Sequence, residues 1–223
     1  LEQDRIAKSV IEPTRWISAL LAVQKANGST RLCIDPVHLN KALQRSHYRS
    51  DTIDDVLPRL AKARVFSSVD ERCGFWHVKL DEESSRLTCF ETPFGRYRWL
   101  RMPFGFSPAP EIFAEKMHAA LQGLDGIANI ADDVLVYGCG DILVEATADH
   151  DRKLVQLLHR CREVGIKLNA EKFHIRLESL IFMGHELTSQ GLRPDSRKVA
   201  AILNMPQPKD RESVMRLLGM ATY

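Results

Sequence analysis

Two spacings of apolar residues alternate along the chain, and together they predict a mixed α and β domain. Residues 19–25 and 30–35 read as strands on either side of Ala26-Asn27-Gly28-Ser29, a turn composition that predicts a β-hairpin. A helix is expected over Thr52–Ala63, with Thr52 as its N-cap and Asp55 completing a Thr-x-x-Asp capping pattern. The short apolar run Val65–Val69 predicts a buried strand. Ser107–Leu124 predicts a helix opened by Pro108 and Pro110, with Phe113, Met117, Ala120, Leu121 and Leu124 on one face. Two apolar runs, 127–130 and 134–137, bracket Ala131-Asp132-Asp133. A helix over Asp149–Val164 follows from Leu154, Leu157, Leu158 and Cys161 at i, i+3, i+4 and i+7, with Gly165 as its stop. Phe173, Ile175 and Leu177 alternate as in a strand. Two short helical patterns follow Pro194 and Pro208, so residues after about Leu192 are expected to form a small helical subdomain.

Composition changes this picture little. Apolar residues make up 44% of the 223, enough for a packed core. The formal net charge of +2 leaves room for a locally basic cleft but does not by itself indicate nucleic acid. No apolar run approaches the roughly 20 residues that a membrane helix needs, and Leu1–Val10 does not read as a signal peptide. Cys33, Cys73, Cys89, Cys139 and Cys161 form no CxxC pair and have no histidine at zinc-finger spacing, which suggests reduced thiols in an intracellular protein. The chain begins without Met and ends at Tyr223 within a helical pattern, as a piece of a longer protein would.

The candidate chemistry lies in the carboxylates. Of the two Asp-Asp pairs, Asp54-Asp55 falls in the first turn of an expected helix, where the helix dipole accounts for it. Asp132-Asp133 falls between two strands. Turn chemistry alone favours Asp there. Yet like charges about 4 Å apart repel by about 4 kcal/mol at an effective dielectric near 20. A divalent cation shared with a third carboxylate, Asp70 at the end of the 65–69 strand, would offset that repulsion. Both readings stay open on these residues alone. All-oxygen donors suit Mg²⁺ or Mn²⁺ and phosphoryl or nucleotidyl transfer, without separating a polymerase from a nuclease.

The surrounding segments carry a resemblance. Val65-Phe66-Ser67-Ser68-Val69-Asp70-Glu71-Arg72-Cys73-Gly74-Phe75 resembles the first catalytic motif of reverse transcriptases. Leu100 to Pro110, containing Met102-Pro103-Phe104-Gly105, resembles their second motif, and Ile130-Ala131-Asp132-Asp133 their third. Phe182-Met183-Gly184-His185 is similar to the primer grip, and Arg31 to Asp35 with Leu39-Asn40-Lys41 to the fingers strand and the turn after it. All occur in the family's order over nearly the whole chain. The Thr92-Pro93-Phe94-Gly95 and Met102-Pro103-Phe104-Gly105 wording resembles gypsy-like LTR retrotransposons.

The resemblance implies an α+β right-hand polymerase fold, with an antiparallel palm sheet packed on helices. Fingers would occupy 1–64 and 81–107, palm 65–80 and 108–187, and the start of a helical thumb or connection 188–223. It implies an RNA- and DNA-templated DNA polymerase that adds dNTPs to a primer 3′-hydroxyl. Two Mg²⁺ ions, or Mn²⁺, would be held by Asp70, Asp132, Asp133 and the Glu71 backbone carbonyl. Arg31 and Lys25 would meet the triphosphate, and the backbone amides of Glu71, Arg72, Cys73 and Gly74 would cradle it. Phe75 would be the steric gate against a 2′-hydroxyl, with an ordinary core aromatic as the plain alternative. Phe104 would line the pocket under the new base pair, and Met183 and Gly184 would place the primer end. Implied partners are an RNA template, a DNA primer–template duplex and dNTPs, no membrane, and RNase H and integrase domains of a Pol polyprotein. The implied location is intracellular, in a cytoplasmic virus-like particle and in the nucleus.

The chain departs from the family's pattern in four places. Ile130 stands for the usual Tyr, Glu71 for an apolar residue, Val37 for an Arg, and residues 46–51 lack the usual prolines. Strand alternation points the Glu71 side chain away from the carboxylates. His77 and His185 read as packing or backbone contacts. The competing class is a catalytically weak or inactive domain of the same fold acting as a nucleic-acid-binding or interaction module.

Overall fold

A computed structural model describes residues 1–25, 28–45 and 47–221. Ala26 and Asn27 of the expected turn, Ser46 and Tyr223 lie outside these residues. In chain order the strands are β1 (Ala7–Val10), β2 (Ala19–Gln24), β3 (Thr30–Asp35), β4 (Ala63–Asp70), β5 (Cys89–Thr92), β6 (Gly95–Trp99), β7 (Ile127–Ile130), β8 (Asp133–Cys139), β9 (His174–Leu177), β10 (Ser179–Phe182), β11 (His185–Thr188) and β12 (Gly191–Pro194). The helices are α1 (Val37–Ala42), α2 (Ile53–Val56), α3 (Glu82–Leu87), α4 (Ala109–Leu121), α5 (Leu143–Val164), α6 (Ser196–Leu203) and α7 (Arg211–Ala221).

The central sheet runs in the order β7-β8-β4-β9, all antiparallel. Its middle strands are covered on both faces, which is why they read as continuous apolar runs rather than alternating ones. On one face Val69, Val134 and Val136 meet Phe113, Met117 and Leu121 of α4 and Leu157 and Cys161 of α5. On the other, Phe66, Leu135 and Tyr137 meet Leu180, Phe182 and Leu187 of the β10-β11-β12 sheet. Full burial of each such aliphatic side chain contributes about 1.5–3 kcal/mol. Helix α5 crosses so close to β8 that a Cβ at Gly138 would lie 2.1 Å from the Ala146 carbonyl oxygen. A second region joins the sheet β1-β6-β5 to the β2–β3 hairpin around Ile34, Phe90 and Trp99.

Several sequence expectations need correction. The Thr52–Asp55 capping box forms, but the helix ends at Val56 and continues as a 3₁₀ turn over Leu57–Leu60. Pro58 has no amide to continue the α-helical ladder, and Ala63 opens β4 instead. Helix α5 starts at Leu143, six residues before the expected Asp149, because its first turn exposes Leu143 and Val144 and so carries no core-facing stripe. The 173–177 alternation does mark a strand, but all four residues of β9 are exposed. Strands β1, β5 and β6 had no clear signal. Helices α6 and α7 lie where the prolines place them.

Candidate active site

The ladder between β4 and β8 ends on the pair Asp70↔Asp133. Strands β7 and β8 meet through a two-residue loop, Ala131-Asp132, closed by Ile130↔Asp133. Ala131 adopts φ 52°, a left-handed conformation that costs a non-glycine residue about 1 kcal/mol or more. The small side chain tolerates the turn, and the turn sets Asp132 beside Asp133 at the end of the sheet. The two apolar strands therefore fix all three carboxylates at one edge.

Charge within the cluster is repulsive. Partial burial, and then the Asp70 carboxylate, raise the pKa of both Asp132 and Asp133. Arg31 and Lys172 pull Asp132 back down, and Lys172 does the same for Asp133. Lys172 Nζ lies 2.7 Å from Asp70 Oδ2. Among the described residues no three His, Cys, Asp or Glu side chains already converge on one ion-sized point. The donor set nevertheless suits a hard divalent ion: three carboxylates, mutually repelling, with a cation already drawn to one of them.

Glu71 turns inward, away from the solvent edge, as strand alternation requires. It is 4% exposed, and neither carboxylate oxygen has a hydrogen-bond partner among the described residues. Burial first, and then Asp132, Asp70 and Asp133, push its pKa up to about 9, so it is a neutral acid at pH 7. Its charge when ionised would in turn reach Cys161, whose thiol is pushed up to about 11 mainly by burial. The neighbouring backbone groups face the other way: Asn169 N–H donates to the Asp70 carbonyl and Arg72 N–H to the Lys167 carbonyl. Alternation then directs the Glu71 carbonyl to the β8 side, where the carboxylates stand.

Beyond Glu71 the chain turns sharply through Cys73 (φ 57°) into a 3₁₀ turn over Gly74–His77. This corrects the expected amide cradle. The Arg72 N–H is committed to Lys167, while the Cys73 and Gly74 amides have no protein acceptor among the described residues. Phe75 sits 4.8 Å from Phe104 and 5.6 Å from Phe113, ring centre to ring centre. The Arg31 guanidinium lies over Phe104 at 4.8 Å, a cation–π contact that joins β3 to the second motif. Phe104 is itself tied to β3, its carbonyl accepting Ile34 N–H at 2.8 Å. Lys25 falls at the end of the β2–β3 hairpin, exposed. Met183 and Gly184, both at positive φ, form the β10–β11 turn, and no hydrogen bond joins that tip to the carboxylates among the described residues.

Sequence reasoning missed three supporting residues. Lys172 gave no signal, because its partner is 102 residues away. Gly105 has φ 112°, and a Cβ there would meet the Ile34 carbonyl oxygen at 1.9 Å. Asn40 bridges α1 to the same loop, donating to the Gly105 carbonyl at 3.0 Å and accepting from Ser107 N–H at 3.0 Å. His77 makes the backbone contacts expected of it, to the Gly74 carbonyl and the Lys167 amide. A separate Ser67–His150–Asp151 chain has triad-like distances of 2.7 and 3.1 Å. Ser67 and His150 are fully buried, so no substrate reaches them. With the Asp151–Arg176 ion pair they tie β4, α5 and β9 together.

The family model described as reverse transcriptase (RNA-dependent DNA polymerase) matches residues 23–187. The chain is 34% identical to the retrovirus-related Pol polyprotein from transposon 412 of Drosophila melanogaster, over 99% of this chain and 18% of that protein. It is 30% identical to the enzymatic polyprotein of cauliflower mosaic virus (strain D/H), over 90% of this chain and 29% of that one. The chain thus spans less than a third of the length of these relatives. The fold is that of the foamy viral protease–reverse transcriptase solved with double-stranded DNA, with a TM-score of 0.86 at 21% identity over 100% of this chain and 38% of that one. A foamy viral protease–reverse transcriptase solved with an RNA/DNA hybrid aligns with a TM-score of 0.78 at 20% identity, over 96% of this chain and 28% of that one.

Proposed function

The chain belongs to the reverse transcriptase family, and from that premise we propose that it is the polymerase part of a gypsy-like retrotransposon Pol polyprotein. It extends a primer on RNA or DNA by nucleotidyl transfer from dNTPs. The observation that carries this reading is the Asp70↔Asp133 end of the β4–β8 ladder with Asp132 in the adjoining turn. Residues 1–64 and 81–107 act as fingers, 65–80 and 108–187 as palm, and 188–223 as the start of the thumb or connection.

Asp70, Asp132, Asp133 and the Glu71 carbonyl would hold two Mg²⁺ ions, with Mn²⁺ as a substitute. Bound there, such ions lower the pKa of an attacking hydroxyl and neutralise charge on the phosphoryl oxygens. The chain's own groups do the rest. Arg31 and the Cys73 and Gly74 amides bind the triphosphate, and Lys25 flanks it from the hairpin. Phe104, held under Arg31, supports the incoming base, and Phe75 beside it excludes a 2′-hydroxyl. Met183 and Gly184 place the primer end.

The working partners are an RNA template, a primer–template duplex and the RNase H and integrase regions of a longer polyprotein, in the cytoplasm or nucleus. A purely nucleic-acid-binding module would not need the three carboxylates, the free amides and the Phe75–Phe104 pocket together. Extension of a DNA primer on an RNA template, dependent on Asp132, tests the proposal.

A further inference from the structure

His77 closes a ring of backbone hydrogen bonds around the Arg72–Gly74 turn. Its Nδ1 is 3.0 Å from the Gly74 carbonyl oxygen, and the Lys167 N–H reaches its Nε2 at 2.8 Å. The Lys167 carbonyl in turn accepts Arg72 N–H at 2.8 Å. An amide can only donate and a carbonyl can only accept, so the two contacts fix the ring's state. Nε2 must carry the lone pair and Nδ1 the proton. Neither bond involves a side chain other than that of His77, so the ring exists only while a two-sided, uncharged group stands at this position.

We propose that His77, as the neutral Nδ1–H tautomer, is a positioning residue for the incoming nucleotide: it anchors the turn whose Cys73 and Gly74 amides meet the triphosphate. The inference rests on the polymerase reading. It adds that the segment Ile166–Leu168, far along the sequence, is the fixed wall against which the cradle is set. The turn needs such a wall. Cys73 is held in the left-handed region, and Gly74 packs where a Cβ would approach the Phe113 ring to 2.9 Å. Without the His77–Lys167 bond, the Arg72–Lys167 bond is the remaining backbone tie between the turn and that wall, and Trp76 N–H to the Cys73 carbonyl at 2.8 Å holds only the turn to itself. The charged groups facing His77 are Lys167 and Arg101, whose guanidinium donates to the His77 carbonyl at 3.3 Å. Burial first, and then these two cations, hold the imidazole below its ordinary pKa and favour the neutral ring.

The test uses H77Q and H77N in the whole chain. A Gln amide can reach the Nε2 position and keep the Lys167 bond, whereas an Asn amide can keep only the Gly74 bond. At saturating primer–template, H77N is expected to raise the KM for dNTP about tenfold while kcat changes by less than about threefold. H77Q, which keeps the tie between the turn and Lys167, should recover most of the loss. An unchanged KM in H77N, or a fall confined to kcat, would overturn the inference while the polymerase reading stood. A second readout needs no catalysis: nitrogen-15 NMR of wild-type His77 at neutral pH should show a protonated Nδ1 and a bare Nε2. A protonated Nε2 would overturn the inference whether or not the chain extends primers. A wild type unable to extend any primer would instead count against the polymerase reading.

Discussion

Lys172 and Asp70 form a direct ion pair, Nζ to Oδ2 at 2.7 Å, at the edge of the carboxylate cluster. The lysine side chain is 60% exposed, and a pair so open contributes about 1 kcal/mol or less to stability. Its consequence is competitive. The ammonium and a divalent ion seek the same carboxylate oxygen. Lys172→Ala is therefore expected to tighten Mn²⁺ binding by the nucleic-acid-free chain about three- to tenfold, followed by water proton relaxation. Unchanged or weaker Mn²⁺ binding would show that the pair does not compete with the ion.

Glu71 makes stability depend on pH in a defined sense. Its carboxyl rises from an ordinary 4.5 to about 9 in the fold. The folded chain thus binds the proton more tightly than the unfolded chain. Stability from this group is full below about pH 4.5 and is lost as pH rises toward 9, by up to about 1.4 kcal/mol per pH unit. Glu71→Gln lacks that dependence. Urea unfolding at about pH 6 and about pH 8 should show the variant gaining on wild type by on the order of 2 kcal/mol between the two. Parallel curves would mean that Glu71 is not buried as a neutral acid.

Phe75 shares its pocket with Phe104 and Phe113. Phe75→Ala should admit ribonucleotides, seen as a fall of about tenfold or more in the ratio of dNTP to rNTP incorporation. It should also cost about 2–4 kcal/mol of stability, because a half-buried ring is removed from its neighbours. Unaltered sugar discrimination in a folded variant would leave Phe75 as a core aromatic.

Gly105 cannot accept a side chain. Gly105→Ala would set a Cβ against the Ile34 carbonyl at 1.9 Å in a φ of 112°. The expected loss is about 3 kcal/mol or more, read as a lowered melting temperature. Disturbance should centre on Phe104 and Arg31. A melting temperature within a degree or so of wild type would contradict the close approach.

The central strands and α4 were legible because they carry long apolar runs or one-sided stripes: Val134–Tyr137 is buried from both faces, and Phe113, Met117 and Leu121 share one side. The carboxylates followed from the breaks in those runs. The start of α5 was hidden because Leu143 and Val144 face solvent, and the length of α2 because Pro58 changes the helix type after one turn. Strand β9 was found by alternation that burial does not reflect. What the sequence could not show is partnership at long range. Lys172 with Asp70, His77 with Lys167 and Asn40 with Gly105 join residues 65 to 102 positions apart, and no local periodicity encodes such pairs.

The most direct test is primer extension on an RNA template with dNTPs and Mg²⁺ or Mn²⁺, comparing wild type with Asp132→Asn. Partial burial and Asp70 disfavour the Asp132 carboxylate's charge, so the amide should leave the melting temperature at or above that of wild type. Extension should fall by about a thousandfold or more. Metal-dependent extension by wild type alone, with both proteins folded, is the expected result. Extension by a pure, folded Asp132→Asn variant at the wild-type rate would contradict the assignment of this carboxylate cluster as the polymerase site.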